Sequence, residues 1–381
     1  MGSILLAWLQ LTFEKRRFFA ALAGITFAVV LMLMQLGLRE VLFRASSLVP
    51  THLAADLVML HKQYEFLYAM RSFSEHRLYA ALAVPGVESV TPAYLQMASW
   101  KNPESRDEHR IAVLGVPVSG RMFDLPSLAG QMPRLDASDS VLFDAGSRPE
   151  YGPIAAMLER GSVATEVNDR RVMVVGTFDL GASFGSGGHL LTSDRNFSRL
   201  FGRPLDMIDV GLIRVAPGSD LDAVRQAIAS RVPGDVMVLT REDFAAREAD
   251  YWERRAAIGF IFDLGAVMGL LVGGVIVYQI LYTDVVNHLH EYATLKAMGV
   301  RDRYLYAVVL NESGFLSVLG FVPGFAIAEV LYAVARQNAH VPVQMTVARA
   351  AGVFVLTVLM CVASGWLAMR KLAHADPAEV F

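Results

Sequence analysis

Cysteine is nearly absent from this chain. One residue in 381 is a cysteine, Cys361, and it stands inside an apolar block. No disulfide can form within the chain, and cysteine usage carries no information about compartment. A surplus of either charge is missing too. The formal net charge is −3, which gives no reason to expect a nucleic-acid partner. No GxxxxGK[ST] stretch occurs, so ATP is not bound through a phosphate loop. The histidines show no HExxH-type spacing. His288 and His290 would leave a helix on different sides, which favours exposed polar residues over a metal site there. No small-residue cleavage motif follows the first apolar block, so no cleavable signal peptide is expected.

What is abundant is apolar sequence. Hydrophobic residues make up 54% of the chain against 19% charged. They gather in four blocks, 18–38, 256–282, 304–335 and 350–369. Each can cross a bilayer, because ~20 helical residues span ~30 Å of hydrocarbon. A long polar stretch with Gly and Pro punctuation separates the first block from the other three. Flanking basic residues set the orientation. Lys15, Arg16 and Arg17 precede the first block, Lys296, Arg301 and Arg303 lie between the second and third, and Arg370 and Lys371 follow the fourth. The loop between the third and fourth has only Arg336 and Arg349. Both termini and the 284–303 loop are therefore expected in the cytoplasm, with the large domain on the other side.

The expected segments are 1–17, an amphipathic N-terminal stretch; 18–43, the first span and stalk; 44–239, the external domain; 240–283, a second stalk and span; and 284–303, a cytoplasmic loop. Then come a span over 304–335, a short external loop over 336–349, a span over 350–369 and a tail over 370–381. Trp8 suits a helix lying at headgroup depth, with Lys15, Arg16 and Arg17 on phosphates; a plain beginning of the first span fits equally. In the external domain, 55–61, 73–84 and 87–100 read as strand, helix and strand. So do 208–215, 220–232 and 236–239, with Asp220 as N-cap. Between them, about 102–203, runs a mostly β insertion with strands at 111–118, 140–143, 162–167 and 171–178. Asn168-Asp169 is a hairpin signal. The 240–255 stretch has no breaker before Ala256, so one helix is expected to run from Thr240 to Tyr282. The third span is longer than the hydrocarbon and needs a tilt, or a kink at Pro323-Gly324.

Three ionisable residues fall in the spans: Asp263, Glu312 and Glu329. Their depth favours interface solvation or helix–helix hydrogen bonding over a proton relay. Gly265, Gly269 and Gly273 are spaced for close helix contact or a dimer seam; lipid-facing glycine is the alternative. Gly181-Ala182-Ser183-Phe184-Gly185 matches GxSxG and follows a strand. The Gly-rich run after it cannot be the required helix, and no HGGG-type oxyanion segment is present, so a flexible loop is expected rather than a nucleophile elbow.

The loop after the second block reads Glu291-Tyr292-Ala293-Thr294-Leu295-Lys296-Ala297-Met298-Gly299, and the chain closes on Ala375-Asp376-Pro377-Ala378-Glu379-Val380-Phe381. Both strings resemble the FtsX/MacB superfamily (type VII) of ABC-transporter permeases. The one-plus-three layout of spans is similar too. Gly176-Thr177-Phe178-Asp179-Leu180-Gly181, with Ser193-Asp194-Arg195-Asn196-Phe197, is closer to the DevC branch. The resemblance implies an α-helical membrane protein with four transmembrane helices and a large extracytoplasmic α+β domain, a Porter-like β-α-β part with an inserted Sabre-like part. It implies a non-enzymatic homodimer in a bacterial inner membrane. ATP and Mg would belong to a separate ABC ATPase, and no cofactor to this chain. A HlyD-like membrane-fusion adaptor and a TolC-like outer-membrane channel are the further partners. Glu291, Thr294, Leu295, Lys296, Met298 and Gly299 would form the coupling helix for the ATPase. Its composition suits a partner's groove, with Gly299 as the stop; a connector packed on the bilayer is the alternative. Gly185, Gly187 and Gly188 are either an adaptor contact or a mobile turn. Lipoprotein release, and regulation of a cell-wall hydrolase without transport, are the competing functions.

Overall fold

The computed structural model describes residues 2–291, 294, 298, 302–338 and 342–373. The chain divides into a helical unit, Met1–Val41 with Ala257–Phe381, and an α/β unit, Leu42–Ala256.

The helical unit starts with α1 (Gly2–Phe13) and α2 (Lys15–Ser46), whose last residues belong to the other unit. Glu14 breaks the helix between them. The N-terminal stretch is thus a discrete helix and not the plain beginning of the first span; Trp8 meets Phe315 edge-on at 5.4 Å.

In the α/β unit, the helices in chain order are α3 (Leu48–Thr51), α4 (Glu75–Tyr79), α5 (Ile154–Arg160), α6 (Asp194–Phe201), α7 (Leu221–Arg231) and α8 (Arg241–Asp250). The strands are β1 (Leu57–His61), β2 (Phe73–Ser74), β3 (Val87–Lys101), β4 (Glu108–Val116), β5 (Ser140–Asp144), β6 (Val163–Val167), β7 (Arg170–Phe178), β8 (His189–Ser193), β9 (Met207–Ile208), β10 (Val210–Val215) and β11 (Val236–Thr240). Nine of them form one sheet in the order β11-β1-β10-β3-β4-β8-β5-β7-β6. The insertion is therefore not a separate body. The first half of β3 pairs with β10 and the second half with β4, so one strand carries the sheet across both parts.

Side chains alternate between the two faces of a strand. Leu57 and Met59 enter one core, and Val58 and Leu60 enter another on the opposite face. Burial on both faces is why this strand reads as a continuous apolar run. Asn168 and Asp169 have φ of 48° and 60°. Positive φ at both central residues is the type I′ condition, and it joins β6 to β7 in register Val167↔Arg170. Asp220 caps α7 by accepting from the amides of Asp222 and Ala223. The insertion also holds helices α5 and α6, which a mostly β reading omitted. The helix expected over 73–84 is shorter: β2 takes its start and a 3₁₀ turn, Ala80–Ala83, its end.

The helical unit resumes with α9 (Ile258–Asn287), α10 (Asp302–Asn338) and α11 (Val347–Ala373). Four helices among the described residues are long and apolar enough to cross a membrane: Lys15–Ser46, Ile258–Asn287, Tyr306–Asn338 and Val347–Arg370. The expected unbroken helix from Thr240 to Tyr282 is not formed. After α8 the chain makes a π turn, Tyr251–Arg255, and Ala257 takes a left-handed φ of 55° before α9. A left-handed alanine costs ~1–2 kcal/mol. Pro323 lies inside α10.

Helix α2 is the centre of this unit. Its Ile25, Val29, Met32 and Leu33 are buried with Val277 and Leu281 of α9, Leu316 and Ala328 of α10, and Val353 and Cys361 of α11. In lipid such helices associate through close packing rather than through hydrophobic burial.

Candidate functional site

Of the residues expected to couple to an ATPase, Glu291, Thr294 and Met298 are described. Glu291 and Met298 are exposed. The Thr294 hydroxyl donates to the His290 carbonyl at 2.9 Å, and the Met298 amide to the Thr294 carbonyl at 3.0 Å. Leu295, Lys296 and Gly299 lie outside the described residues, as does the C-terminal string from Ala375 to Phe381.

Gly265, Gly269 and Gly273 face neighbours in their own unit. A methyl group on Gly265 would stand 2.5 Å from the Gln35 amide, on Gly269 3.2 Å from Leu31, and on Gly273 2.6 Å from Ala28 Cβ and 2.9 Å from Met360 Sδ. The row lets α9 lie directly on α2. The three ionisable residues in the spans differ from one another. Asp263 pairs with Arg39 at 3.2 Å. Glu312 is buried with neither carboxylate oxygen hydrogen-bonded, so helix–helix hydrogen bonding does not describe it. Glu329 is half-buried. Next to Arg39 on α2, Glu40 pairs with Arg349, which also donates to the Tyr332 hydroxyl at 3.3 Å.

The Gly-rich loop of the α/β unit is closely packed. Gly185 has φ +100°, and a methyl group there would stand 2.7 Å from the Tyr68 ring. Methyls on Gly187 and Gly188 would meet the Tyr151 hydroxyl at 2.8 Å and the Ser147 hydroxyl at 2.6 Å. Beneath the loop lies a chain of buried polar groups. Ser183 Oγ lies 3.1 Å from His189 Nε2, and His189 Nδ1 lies 3.3 Å from Asp144 Oδ2. With Nδ1–H given to the carboxylate, Nε2 is left to accept from a hydroxyl. Asp144 also accepts from the amides of Gly146, Leu180 and Gly181 at 2.9–3.0 Å. Tyr68 reaches both Ser183 Oγ and, at 3.1 Å, His189 Nε2. Burial pushes the Tyr68 phenol above its ordinary value, so it stays a donor.

Two strands bring this chain of groups together. β5 ends at Asp144 and β8 begins at His189, and their register pairs Phe143 with Leu190. The relay can pass a proton from Ser183 to His189 and hold the resulting imidazolium against Asp144. The amides of Ser183 and Phe184 are both occupied, by the Ser186 and Ala45 carbonyls.

A second buried carboxylate, Glu248 on α8, accepts from the Tyr64 hydroxyl, the Leu67 amide and the Trp252 indole, the last at 2.9 Å. Burial raises its pKa, and the three donors pull it back.

Residues 264–377 match the family model described as FtsX-like permease C-terminal. This part of the chain is similar to the C-terminal part of FtsX-like permeases. Similar proteins include an uncharacterized ABC transporter permease of Methanocaldococcus jannaschii, 27% identical over 44% of this chain and 44% of that protein. The pyoverdine export ATP-binding/permease protein PvdT of Pseudomonas putida is 32% identical over 33% of this chain and 20% of its own. The macrolide export ATP-binding/permease protein MacB of Psychrobacter cryohalolentis is 29% identical over 36% and 22%. The matched stretches thus span less than half the length of these relatives. Among solved structures, the periplasmic region of MacB from Actinobacillus actinomycetemcomitans aligns with TM-score 0.37 and 8% identity, over 51% of this chain and 92% of that one. Glycines 265, 269 and 273 and residues Glu291, Thr294 and Met298 lie within the FtsX-like segment.

His189, Asp144 and Glu248, which are buried, and Tyr68, which is half-buried, are groups that reading by motif passed over. Only the serine of the relay carries a local signal, GxSxG; its partners are joined to it by strand register.

Proposed function

We propose that the chain is the permease subunit of an ABC-type export system, working as a homodimer with a separate ATPase. The observation that carries this reading is the match of residues 264–377 to the FtsX-like permease model. The names of the relatives, all permeases or ATP-binding/permease proteins, support it. ATP and Mg would be bound by the partner. The 284–303 loop, with Glu291, Thr294, Leu295, Lys296, Met298 and Gly299, would receive the ATPase's closure. The distribution of Lys and Arg supports a cytoplasmic loop and a periplasmic α/β unit in a bacterial inner membrane.

In this reading substrate need not pass through the four spans. ATP binding favours one of two states a few kcal/mol apart, and helix movement carries that preference to the α/β unit. Because the second stalk is broken at Ala257, α2, continuous from Lys15 to Ser46, is the better transmitter. The α/β unit would then act on cargo together with a HlyD-like adaptor and a TolC-like channel, as in the DevC branch.

Affinity purification of the full-length chain from its own membrane tests the assembly. An ABC ATPase and a HlyD-like adaptor should co-purify; a lipoprotein without an adaptor would assign the chain to lipoprotein release instead. Glu291→Lys or Leu295→Asp should lower stimulation of the co-purified ATPase about tenfold or more, equivalent to ~1.4 kcal/mol of lost coupling. Unchanged stimulation by both variants would remove the coupling role.

A further inference from the structure

We propose that Ser183 is a shielded nucleophile, activated by His189 and Asp144, that accepts the acyl group of a carboxylic ester with an apolar acyl chain. Three groups stand in the order that nucleophilic catalysis requires: hydroxyl, imidazole, carboxylate. Ser183 Oγ to His189 Nε2 is 3.1 Å and His189 Nδ1 to Asp144 Oδ2 is 3.3 Å. The carboxylate is oriented in turn by amides of Gly146, Leu180 and Gly181. A buried hydroxyl needs only one partner. A hydroxyl backed by an imidazole and an oriented carboxylate is more than packing demands.

Shielding comes from the loop. Ser183 is 5% exposed, and the Tyr68 ring and the exposed Gly185 stand over it. The amides best placed to hold an oxyanion are those of the nucleophile and of the residue after it. Here these are Ser183 N, closed on Ser186 O, and Phe184 N, closed on Ala45 O. Movement of residues 184–188 away from Ser183, whose side chain stays on His189, would open both bonds and uncover the hydroxyl. Gly185, at φ of +100°, is a residue that can take up the change.

The acyl class follows from the neighbouring side chains. Phe184 packs edge-on against Trp252 at 4.4 Å, and Trp252 and Tyr251 pack on Phe66 at 5.3 and 4.8 Å. Movement of Phe184 off Trp252 would leave beside the nucleophile an aromatic wall suited to a hydrocarbon chain. In the reaction Ser183 Oγ bonds to the ester carbon and its proton moves to His189 Nε2. The C–O bond to the alcohol then breaks, and His189 returns the proton to the departing alkoxide. Water, deprotonated by the same imidazole, later releases the carboxylic acid.

The test is labelling of the detergent-solubilised full chain with a fluorophosphonate, which forms an Oγ–P bond and expels fluoride. Peptide mapping should find the adduct on Ser183, with none in Ser183→Ala. His189→Gln should slow labelling on the order of 10³-fold or more. Asp144→Asn, which removes the carboxylate charge that orients the imidazole, should slow labelling by a comparable factor; this variant serves if His189→Gln does not fold. A wild-type Ser183 left unlabelled, or labelled equally in a folded His189→Gln or Asp144→Asn variant, overturns the proposal.

Discussion

Gly273 and Gly274 are adjacent on α9 and should respond in opposite ways to the same methyl group. Placed on Gly273, the methyl carbon would stand 2.6 Å from Ala28 Cβ. Ala28 has no rotamer to move, so α2 itself must give way by about an ångström to reach ordinary contact. Overpacking of this kind costs ~1–3 kcal/mol. Placed on Gly274, the methyl would meet Met360 Cγ at 3.5 Å and Ser364 Oγ at 3.8 Å, both ordinary contacts. Each substitution gains about the same helix propensity, ~1 kcal/mol. That gain cancels when the two variants are compared, and the steric cost at Ala28 remains. Gly274→Ala should therefore equal or exceed the wild type in stability, and Gly273→Ala should fall ~1–3 kcal/mol below Gly274→Ala. Equilibrium unfolding of the full chain in mixed micelles, followed by circular dichroism, measures both. Two variants within ~0.5 kcal/mol of each other would refute the claim that α9 rests on α2 through Gly273.

Glu248 supplies a pH-dependent term. Its folded pKa is raised, chiefly by burial, so the folded state binds the proton more readily than the unfolded chain. Stability from this group is fully present below the unfolded value of ~4.3 and is lost as pH rises through the folded value. Unfolding at pH 4 to 7 should show that loss in the wild type and not in Glu248→Gln. Arg203 is joined to Asp209 by contacts of 2.9 and 3.0 Å, and the Asp209 side chain is 2% exposed. Arg203→Ala leaves that carboxylate with only Leu95 N and Ser72 Oγ and should cost ~3–5 kcal/mol in chemical denaturation.

Local chemistry made much of the fold legible. Asn168-Asp169 announces its turn because few other pairs tolerate positive φ at both positions. Asp220 announces α7 because its carboxylate satisfies amides that the helix leaves open. Helix α6 carried comparable signals that the reading did not use: Ser193 accepts from the Asn196 amide, Phe197 and Leu200 share a buried face, and Gly202 ends the helix at φ 62°. The break at Ala257 had no signal. Alanine is the best helix former, so nothing local in the sequence announces it. The relay was illegible for a different reason. Asp144 and His189 are 45 residues apart and meet because β5 and β8 pair in one register. A slip of one residue would put the two side chains on opposite faces.

The lever and the nucleophile make separable demands on Ser183. A lever needs the shape of the 181–188 loop, and Ser183→Ala keeps that shape. The Tyr68 hydroxyl lies 3.1 Å from His189 Nε2, so the imidazole retains a donor when the serine hydroxyl is gone. The Ser183 amide still donates to Ser186 O, because that bond is made by the backbone. Export that survives Ser183→Ala while labelling vanishes would place the two activities side by side on one domain. Loss of both in a variant that still melts like the wild type would mean that acyl transfer is a step of export itself. The cargo, or a lipid travelling with it, would then be an ester.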